Sequence, residues 1–153
     1  MKTPAATKVT TSAPNNAHFI GRLPKRQNTV IAEILRRLLD GEHVTSITGV
    51  FEASTTRLGA VVFSLRKCHG WQCEKQDKAA GCKDGRIAWI AEYRLSPLQR
   101  AAAVQCPDVS QWCRQVREAR AKRRTQAAQA AHRAALLNQA RAMQADLFAG
   151  GAQ

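Results

Sequence analysis

Cysteine and histidine residues that could bind a metal ion are concentrated in one stretch of the sequence. Cys68 and His69 are adjacent, Cys73 follows His69 by four positions, and Cys82 follows Cys73 by nine. Four such ligands would suffice for a tetrahedral zinc ion. However, this spacing matches none of the familiar zinc motifs, and cysteine is also a common small core residue. We therefore expect no metal site.

Residues suited to acid–base or nucleophilic catalysis are scattered along the chain. His18, His43 and His132 lie in separate segments, without a neighbouring acid and nucleophile. The sequence also lacks a glycine-rich phosphate loop, because three of its central glycines are isolated: Gly49, Gly59 and Gly70. The sequence therefore predicts neither an enzyme nor a cofactor.

Net charge is the strongest functional signal in the composition. The 153 residues include 24 Lys and Arg against 11 Asp and Glu, a net charge of +13. Such an excess favours polyanionic partners, nucleic acid before anionic membrane. Residues 1–28 carry five basic residues and no acid, and residues 109–153 carry eight basic and two acidic ones. In between, residues 29–54 are acidic overall and residues 55–86 are basic, so we expect half of this region to repel phosphate.

Three features of the sequence bear on its compartment. It contains no run of about 18 apolar residues, so we expect no transmembrane helix and no membrane partner. The first sixteen residues lack the apolar core of a secretory signal, and Pro4 and Pro14 disfavour a mitochondrial presequence. Five cysteines, an odd number without regular spacing, indicate reduced thiols. The expected location is cytoplasmic.

Apolar residues recur with helical spacing in three segments that follow a flexible basic arm, residues 1–26. The first helix is capped by Asn28, stops at Gly41, and has the apolar positions Ile31, Ile34, Leu35 and Leu38. The second follows a short extended segment and a cap at Ser46, with a buried side of Ile47, Val50 and Phe51. The third is expected from Thr56 to Lys67, with a core side of Leu58, Val61, Val62 and Leu65.

Two strand-like segments follow Gly70, which ends the third helix. Trp71–Lys75 and Arg86–Leu95 favour strands, and Gln76–Gly85 is a polar loop that ends in an Asp-Gly turn. The order helix, strand, helix, helix, strand, loop, strand predicts a winged helix-turn-helix domain over residues 27–95. The predicted fold class is therefore α+β, mainly α with a small β-hairpin wing.

The sequence after residue 95 is rich in alanine and arginine. We expect a short helix and linker over residues 96–108, then one long, basic, mostly exposed helix over 109–149, and a tail at 150–153. Steps of four, three and four residues separate Leu136, Ala140, Met143 and Leu147. This spacing indicates a short coiled-coil seam, through which a homodimer could form.

The outer side of the third helix has the composition of a DNA-reading surface. At 100° per residue, the side chains directed away from Leu58 or on its flank are Thr56, Arg57, Ala60, Phe63, Ser64 and Lys67. Arg57 could bind guanine with two hydrogen bonds, and Phe63 could contact a thymine methyl. Alternatively, Phe63 packs against the wing, an arm or a partner subunit.

Basic residues outside this helix are candidate phosphate contacts. In the wing they are Lys75, Lys78, Lys83 and Arg86. In the arms they are Arg22, Lys25, Arg26, Arg120, Lys122, Arg123 and Arg124. The alternative is that they are only solvated surface residues, which is common for lysines near a turn and for alanine–arginine helices.

The stretch NTVIAEILRRLLDGEHVTSITGVFEASTTRLGAVVFSLRKCHGWQCEKQ, with the later segment GRIAWIAEYRL, resembles a small winged helix-turn-helix domain of proteobacterial phage and prophage proteins. The resemblance covers about residues 27–95 and implies this fold and binding of double-stranded DNA. We therefore expect a DNA-binding protein, of the type of a phage or prophage transcriptional regulator. The alternatives are a protein-interaction module that uses the winged helix as a scaffold, and RNA binding through the arginine-rich helix.

Overall fold

The computed structural model describes residues 20–149, with side-chain exposure up to residue 144. Its helices are α1 (Val30–Leu39), α2 (Ser46–Ala53), α3 (Leu58–His69), α4 (Pro97–Val104), α5 (Pro107–Thr125) and α6 (Ala127–Ala149). The strands β1 (Val44–Thr45), β2 (Cys73–Gly81) and β3 (Ile87–Leu95) form one antiparallel sheet in the order β1-β3-β2. The predicted α+β class, mainly helical with a small sheet, is confirmed. The predicted tail and residues 1–19 of the predicted arm lie outside the described residues.

α1 lies at the centre of the hydrophobic core. Four of its side chains have no exposed surface: Ala32, Ile34, Leu35 and Leu38. The N-cap is Thr29 rather than Asn28, and its hydroxyl accepts a hydrogen bond of 3.2 Å from the N–H of Ala32. The helix ends before Gly41, whose φ of 87° is the left-handed conformation that the sequence predicted at this stop.

The prediction for the buried side of α2 is wrong. This helix buries Gly49 and Ala53, whereas Ile47, Val50 and Phe51 are 54%, 42% and 80% exposed. The small residues allow a close approach, since a Cβ added at Gly49 would lie 3.4 Å from the carbonyl oxygen of Thr55. In a helix of only eight residues, tertiary packing decides the orientation, and the apolar pattern alone does not.

α3 is anchored on one side by Leu58, Val62 and Leu65, which are 1%, 3% and 0% exposed. Val61 is partly buried against the same core. The helix begins at Leu58, two residues later than predicted, because Arg57 has the non-helical backbone of an N-cap. It ends at Gly70, where φ is 72° and the N–H donates to the carbonyl oxygen of Leu65. The core side of α3 is therefore the one predicted.

The hairpin of β2 and β3, residues 73–95, is longer than predicted and is called the wing below. β2 continues to Gly81 instead of ending at Lys75, and its pairing with β3 runs without interruption to the partners Gly81 and Ile87. Only residues 82–86 form the connection, with Gly85 at a φ of 84°. Polar composition had indicated a loop. In a two-stranded ribbon that extends beyond the core, however, both faces are solvated, and polar residues are compatible with a strand.

The core continues past Leu95 into the C-terminal helices. Four residues of α5 are buried in it: Val109, Trp112, Cys113 and Val116. The predicted single exposed helix is therefore two helices, of which α5 packs in its first half and α6 is exposed from residue 127 to 144. α5 begins at Pro107, a favoured first helical residue because its missing N–H would have no partner there. No proline or glycine lies close to Gln126, so nothing in the sequence marks the break there.

Residues 20–26 are packed onto the core, which differs from the flexible arm predicted for residues 1–26. The carbonyl oxygen of Arg22 accepts a hydrogen bond of 3.0 Å from the indole N–H of Trp71. The carbonyl oxygen of Pro24 accepts one of 3.0 Å from the indole N–H of Trp112. Buried tryptophans need such acceptors. This segment therefore supplies the polar partners of two core side chains.

None of the described helices has the length and apolar composition to cross a membrane.

The α2–α3 turn gives a first test of this fold. Ser54 is the non-glycine residue with positive φ in the described residues, at 53°. A residue with a side chain pays roughly 1–2 kcal/mol for the left-handed conformation, and glycine avoids this cost. Glycine also loses more conformational entropy on folding, which offsets part of the gain in stability. We expect Ser54→Gly to raise the free energy of unfolding by about 0.5–1 kcal/mol in urea denaturation. Ser110→Gly, at an exposed right-handed position of α5, is the control and should lower it. Equal losses in both variants would contradict the turn geometry.

Candidate nucleic-acid interface

The outer side of α3 is open to solvent. All six predicted contact residues are at least partly exposed: Thr56, Arg57, Ala60, Phe63, Ser64 and Lys67. The first two precede α3 instead of lying in its first turn, and Ser64 is half-buried. Within residues 20–149, neither Arg57 nor Lys67 forms an ion pair. Both positive charges are therefore free to interact with an anionic partner.

Phe63 lies in the middle of this surface. Its side chain is 62% exposed, so the described part of the chain does not cover it. Packing against the wing or the packed segment 20–26 therefore does not explain this residue. Contact with a thymine methyl and contact with a partner subunit both remain compatible with its exposure.

The wing carries less free positive charge than its sequence indicated. Lys75 lies 3.5 Å from Asp77, Lys78 lies 3.0 Å from Glu92, and Arg86 is paired with Asp84. Two of these pairs also affect the pKa of their carboxyl groups. A hydrogen bond from Arg86 lowers the pKa of Asp84, and one from Lys78 lowers the pKa of Glu92. Lys83 is the wing cation without a carboxylate partner in the described chain. Exposed pairs are weak and can exchange for phosphate, but the wing is close to neutral.

The acidic residues of α1 and α2 form one ion-pair cluster with arginines. Glu33 is 4% exposed and lies 3.0 Å from both Arg36 and Arg37, and Arg37 also reaches Glu52 at 2.7 Å. Burial raises the pKa of Glu33, but the hydrogen bond and charge of Arg36, with the charge of Arg120, outweigh burial and lower it. The carboxylate is therefore ionised at neutral pH. The sequence predicted that this acidic half of the domain repels phosphate, but arginines of the same chain neutralise its carboxylates.

The predicted C-terminal arm residues divide into two groups. Arg120 donates to the carbonyl oxygen of Glu52 and lies 3.8 Å from Glu33, so it joins α5 to the ion-pair cluster. Arg124 lies 3.9 Å from Glu52, at the edge of the cluster. Lys122 and Arg123 are exposed. Arg120 therefore has a structural role, and the remaining three side chains are accessible to a ligand. The predicted N-terminal arm residues are exposed as well: Arg22, Lys25 and Arg26.

A surface cavity of about 280 Å³ lies where the end of α5 meets the start of α1 and the α2–α3 turn. Arg120, Arg123 and Arg124 line it together with one carboxylate, that of Glu33. The Nε atom of Arg120 is buried there without a hydrogen-bond acceptor. Three guanidinium groups beside the positive end of a helix favour an anion. The further lining residues are Gln27, Asn28, Thr29, Val30, Ala53, Ser54, Val116 and Ala127.

Sequence reasoning missed the exposed apolar residues of the wing. Ile87 and Trp89 are 73% and 74% exposed, although both lie in the strand that the sequence predicted. Ile87, Trp89, Ala91, Tyr93 and Leu95 alternate along β3 and therefore share one face of the strand. That alternation could not reveal that only the end of the strand nearest Leu95 reaches the core.

The candidate metal ligands do not form a site. Cys73 is buried at the base of the wing, whereas Cys82 lies in the connection, just past the opposite end of β2. In the described chain no group of three or more His, Cys, Asp and Glu could hold a metal ion. Burial raises the pKa of the Cys73 thiol to about 11, against a smaller lowering by Arg66.

No family model, curated protein or solved structure matches this chain.

Glu33→Gln tests the ion-pair cluster. The change removes the carboxylate that Arg36 and Arg37 share, but Arg36 keeps Asp40, and Arg37 keeps Glu42 and Glu52. The loss should therefore be smaller than the roughly 3 kcal/mol or more that a buried charge without any partner costs. We expect the free energy of unfolding at pH 7, measured in urea, to fall by about 1–2 kcal/mol. Glu118→Gln, at an exposed carboxylate of α5, should leave it unchanged.

The effect of Glu33→Gln on the free energy of unfolding should depend on pH. Because folding lowers the pKa of Glu33 from its ordinary value of 4.5, its contribution is complete above that value and is lost as pH falls through the folded value. The difference in stability between the wild type and Glu33→Gln should therefore shrink below pH 4.5. A difference that stays constant from pH 7 to pH 3 would contradict the ionised, paired state of Glu33.

Proposed function

We propose that residues 27–95 form a winged helix-turn-helix domain that binds duplex DNA. The element order α1-β1-α2-α3-β2-β3 and the sheet order β1-β3-β2 are those that such a domain requires. α2 and α3 are joined by four residues, and the wing follows α3. The observation that carries the proposal is the outer side of α3, which is exposed and free of carboxylate partners.

The dimensions of α3 suit the major groove. Twelve residues span roughly 18 Å, and a helix with its side chains is about 10–12 Å wide, close to the width of the groove. In this arrangement Thr56, Arg57 and Ala60 approach base edges at the start of the helix. Arg57 forms the bidentate contact to guanine, and Phe63 contacts a thymine methyl. Ser64 and Lys67 lie on the flank, within reach of phosphates.

Phosphate contacts come from residues at both ends of this surface. Arg123 and Arg124 line the cavity beside the α2–α3 turn, where a phosphate oxygen would also meet the start of α1. Arg120 supports this site from inside the ion-pair cluster. At the opposite end Lys83 is the wing cation available without exchange of an ion pair. Arg22, Lys25 and Arg26 add exposed charge ahead of α1.

The biological role that fits these contacts is a transcriptional regulator of the phage or prophage type, acting in the cytoplasm. The resemblance of residues 27–95 to that family supports the role, and the five free cysteines are compatible with a reducing compartment. α6 offers a dimer contact, because Leu136 and Met143 are exposed along the predicted seam. The side chain of the last seam residue, Leu147, lies outside the described residues. A dimer would read two half-sites with two-fold symmetry.

A protein-interaction module is the second candidate, and one observation favours it. Ile47, Val50 and Phe51 form an exposed apolar side on α2, and exposed patches of this kind mark protein interfaces. A stable complex that buries α2 while the chain shows no affinity for duplex DNA would favour this candidate. RNA binding through α5 has less support, because Arg117, Arg120 and Arg124 lie within 4.0 Å of carboxylates.

Two arginine variants test the DNA-binding proposal. Duplexes selected by the full chain from a random pool serve as cognate sites, and titrations by fluorescence anisotropy measure affinity. Arg57→Gln should lower affinity for these sites by about 10-fold, since a bidentate guanine contact contributes about 1–3 kcal/mol. It should change binding to unrelated duplexes little.

Arg123→Gln should weaken all duplexes alike and reduce the slope of log affinity against log salt by about 0.9, the loss of one phosphate contact. Arg114→Gln is the matched control, because Arg114 is exposed on the same helix but does not line the cavity. Absence of duplex binding by the wild type at low salt would contradict the proposal. So would equal affinities of all variants.

A further inference from the structure

Trp89 differs from the other two tryptophans in its surroundings. Trp71 and Trp112 belong to the core and are 1% and 6% exposed, whereas Trp89 is 74% exposed on β3. Ile87, two residues away on the same strand, is 73% exposed. Two large apolar side chains held in water on a regular strand form a surface that a partner would cover.

The residues across the wing leave this surface open. Ala79 lies opposite Trp89, and Gly81 lies opposite Ile87. Neither has a side chain large enough to cover its neighbour. The indole ring is therefore accessible on this face of the wing.

This apolar face of the wing continues from the core toward α3. Side chains two residues apart on a strand share a face, so Trp89 lies on the same face as Tyr93 and the buried Leu95. The hydroxyl of Tyr93 lies 3.8 Å from the position that a Cβ on Gly59 would take. The first turn of α3 thus approaches this face at Tyr93, and Trp89, four residues before Tyr93 and nearer the tip of the wing, lies on the same face of the sheet.

Positive charge borders the exposed face at the tip of the wing. Lys83 and Arg86 are exposed in the connection between the strands, beside Asp84. An apolar side chain near the tip of a hairpin, close to Lys83, which is unpaired in the described chain, and beside the proposed DNA-reading helix, has the character of the wedges that proteins insert between base pairs.

We propose that Trp89, with Ile87 next to it on the side of the tip, inserts between base pairs in the minor groove of the duplex whose major groove receives α3, and bends that duplex. This inference rests on the proposed function. Unstacking is easiest at pyrimidine–purine steps, so a TA or CA step should lie at a fixed distance from the α3 site. Continuity with the α3 surface, the cation Lys83 at the tip of the wing (unpaired within the described residues) and the net charge of +13 favour DNA over a protein partner here.

Tryptophan fluorescence tests the insertion directly. Titration of the wild type with a selected duplex should quench tryptophan emission, because a base pair stacks on the exposed indole of Trp89. Trp89→Phe reports the two buried tryptophans alone, and its emission should not respond to the duplex. A phenylalanine can still act as a wedge, so this variant should keep its affinity.

The bend is measured by energy transfer between dyes at the two ends of a 30-base-pair duplex. Wild type and Trp89→Phe should increase the transfer, whereas Trp89→Ala should leave it near the value of free DNA and lower affinity by about 10-fold. Leu98→Ala is the matched control, because Leu98 is a 77% exposed apolar residue on α4, away from the wing. It should behave as the wild type.

The outcomes separate this inference from the proposed function. If the wild type binds and Arg57→Gln weakens binding, but Trp89→Ala bends the duplex with unchanged affinity, the wedge is wrong and the DNA-binding proposal stands. Loss of a dimer in light scattering by Trp89→Ala, without an effect on DNA, would identify the face as a contact between copies and overturn the wedge. If the wild type does not bind duplex DNA, both fail.

Discussion

The packing of Leu58, Val62 and Leu65 against the core determines which side of α3 faces the solvent. Each of these side chains, fully buried, contributes about 1.5–3 kcal/mol relative to exposure. Rotation of the helix by one residue, about 100°, would move all three toward water and bring Phe63 or Arg57 toward the core. Such an orientation would lose several kcal/mol. The accessible surface of α3, and with it any function of that surface, follows from this one anchoring.

The ion-pair cluster of α1, α2 and α5 has a second consequence for function. Glu33, Asp40, Glu42 and Glu52 are each paired with arginines, some of them from α5. The acidic half of the domain therefore attaches α5 to the core instead of repelling a polyanion. Because α5 is attached there, Arg123 and Arg124 lie beside the α2–α3 turn and not on a separate, free helix. Folding energy and charge distribution thus depend on the same residues.

Sequence periodicity was informative where an element is long and one side is fully buried. Ile34 and Leu38 of α1 and Leu58 and Leu65 of α3 are buried as expected, and Gly41 and Gly70 mark the helix ends. Periodicity failed for α2, because eight residues pack through glycine and alanine. It failed for β2, because both faces of the wing are solvated and the mostly polar residues of this strand show no apolar alternation. The candidate site was less predictable. Exposure of Trp89 and burial of Trp112 depend on where the core ends, which only tertiary contacts determine.

The proposed contact between the outer side of α3 and duplex DNA should protect that side from solvent. Hydroxyl-radical footprinting of the full chain, with and without a duplex selected from a random pool, measures this protection residue by residue. The duplex should slow oxidation of Phe63, while Leu98, which is 77% exposed on α4, should react at an unchanged rate. Unchanged oxidation of Phe63 in a saturated complex, with protection of Phe51 on α2 instead, would contradict the proposed contact.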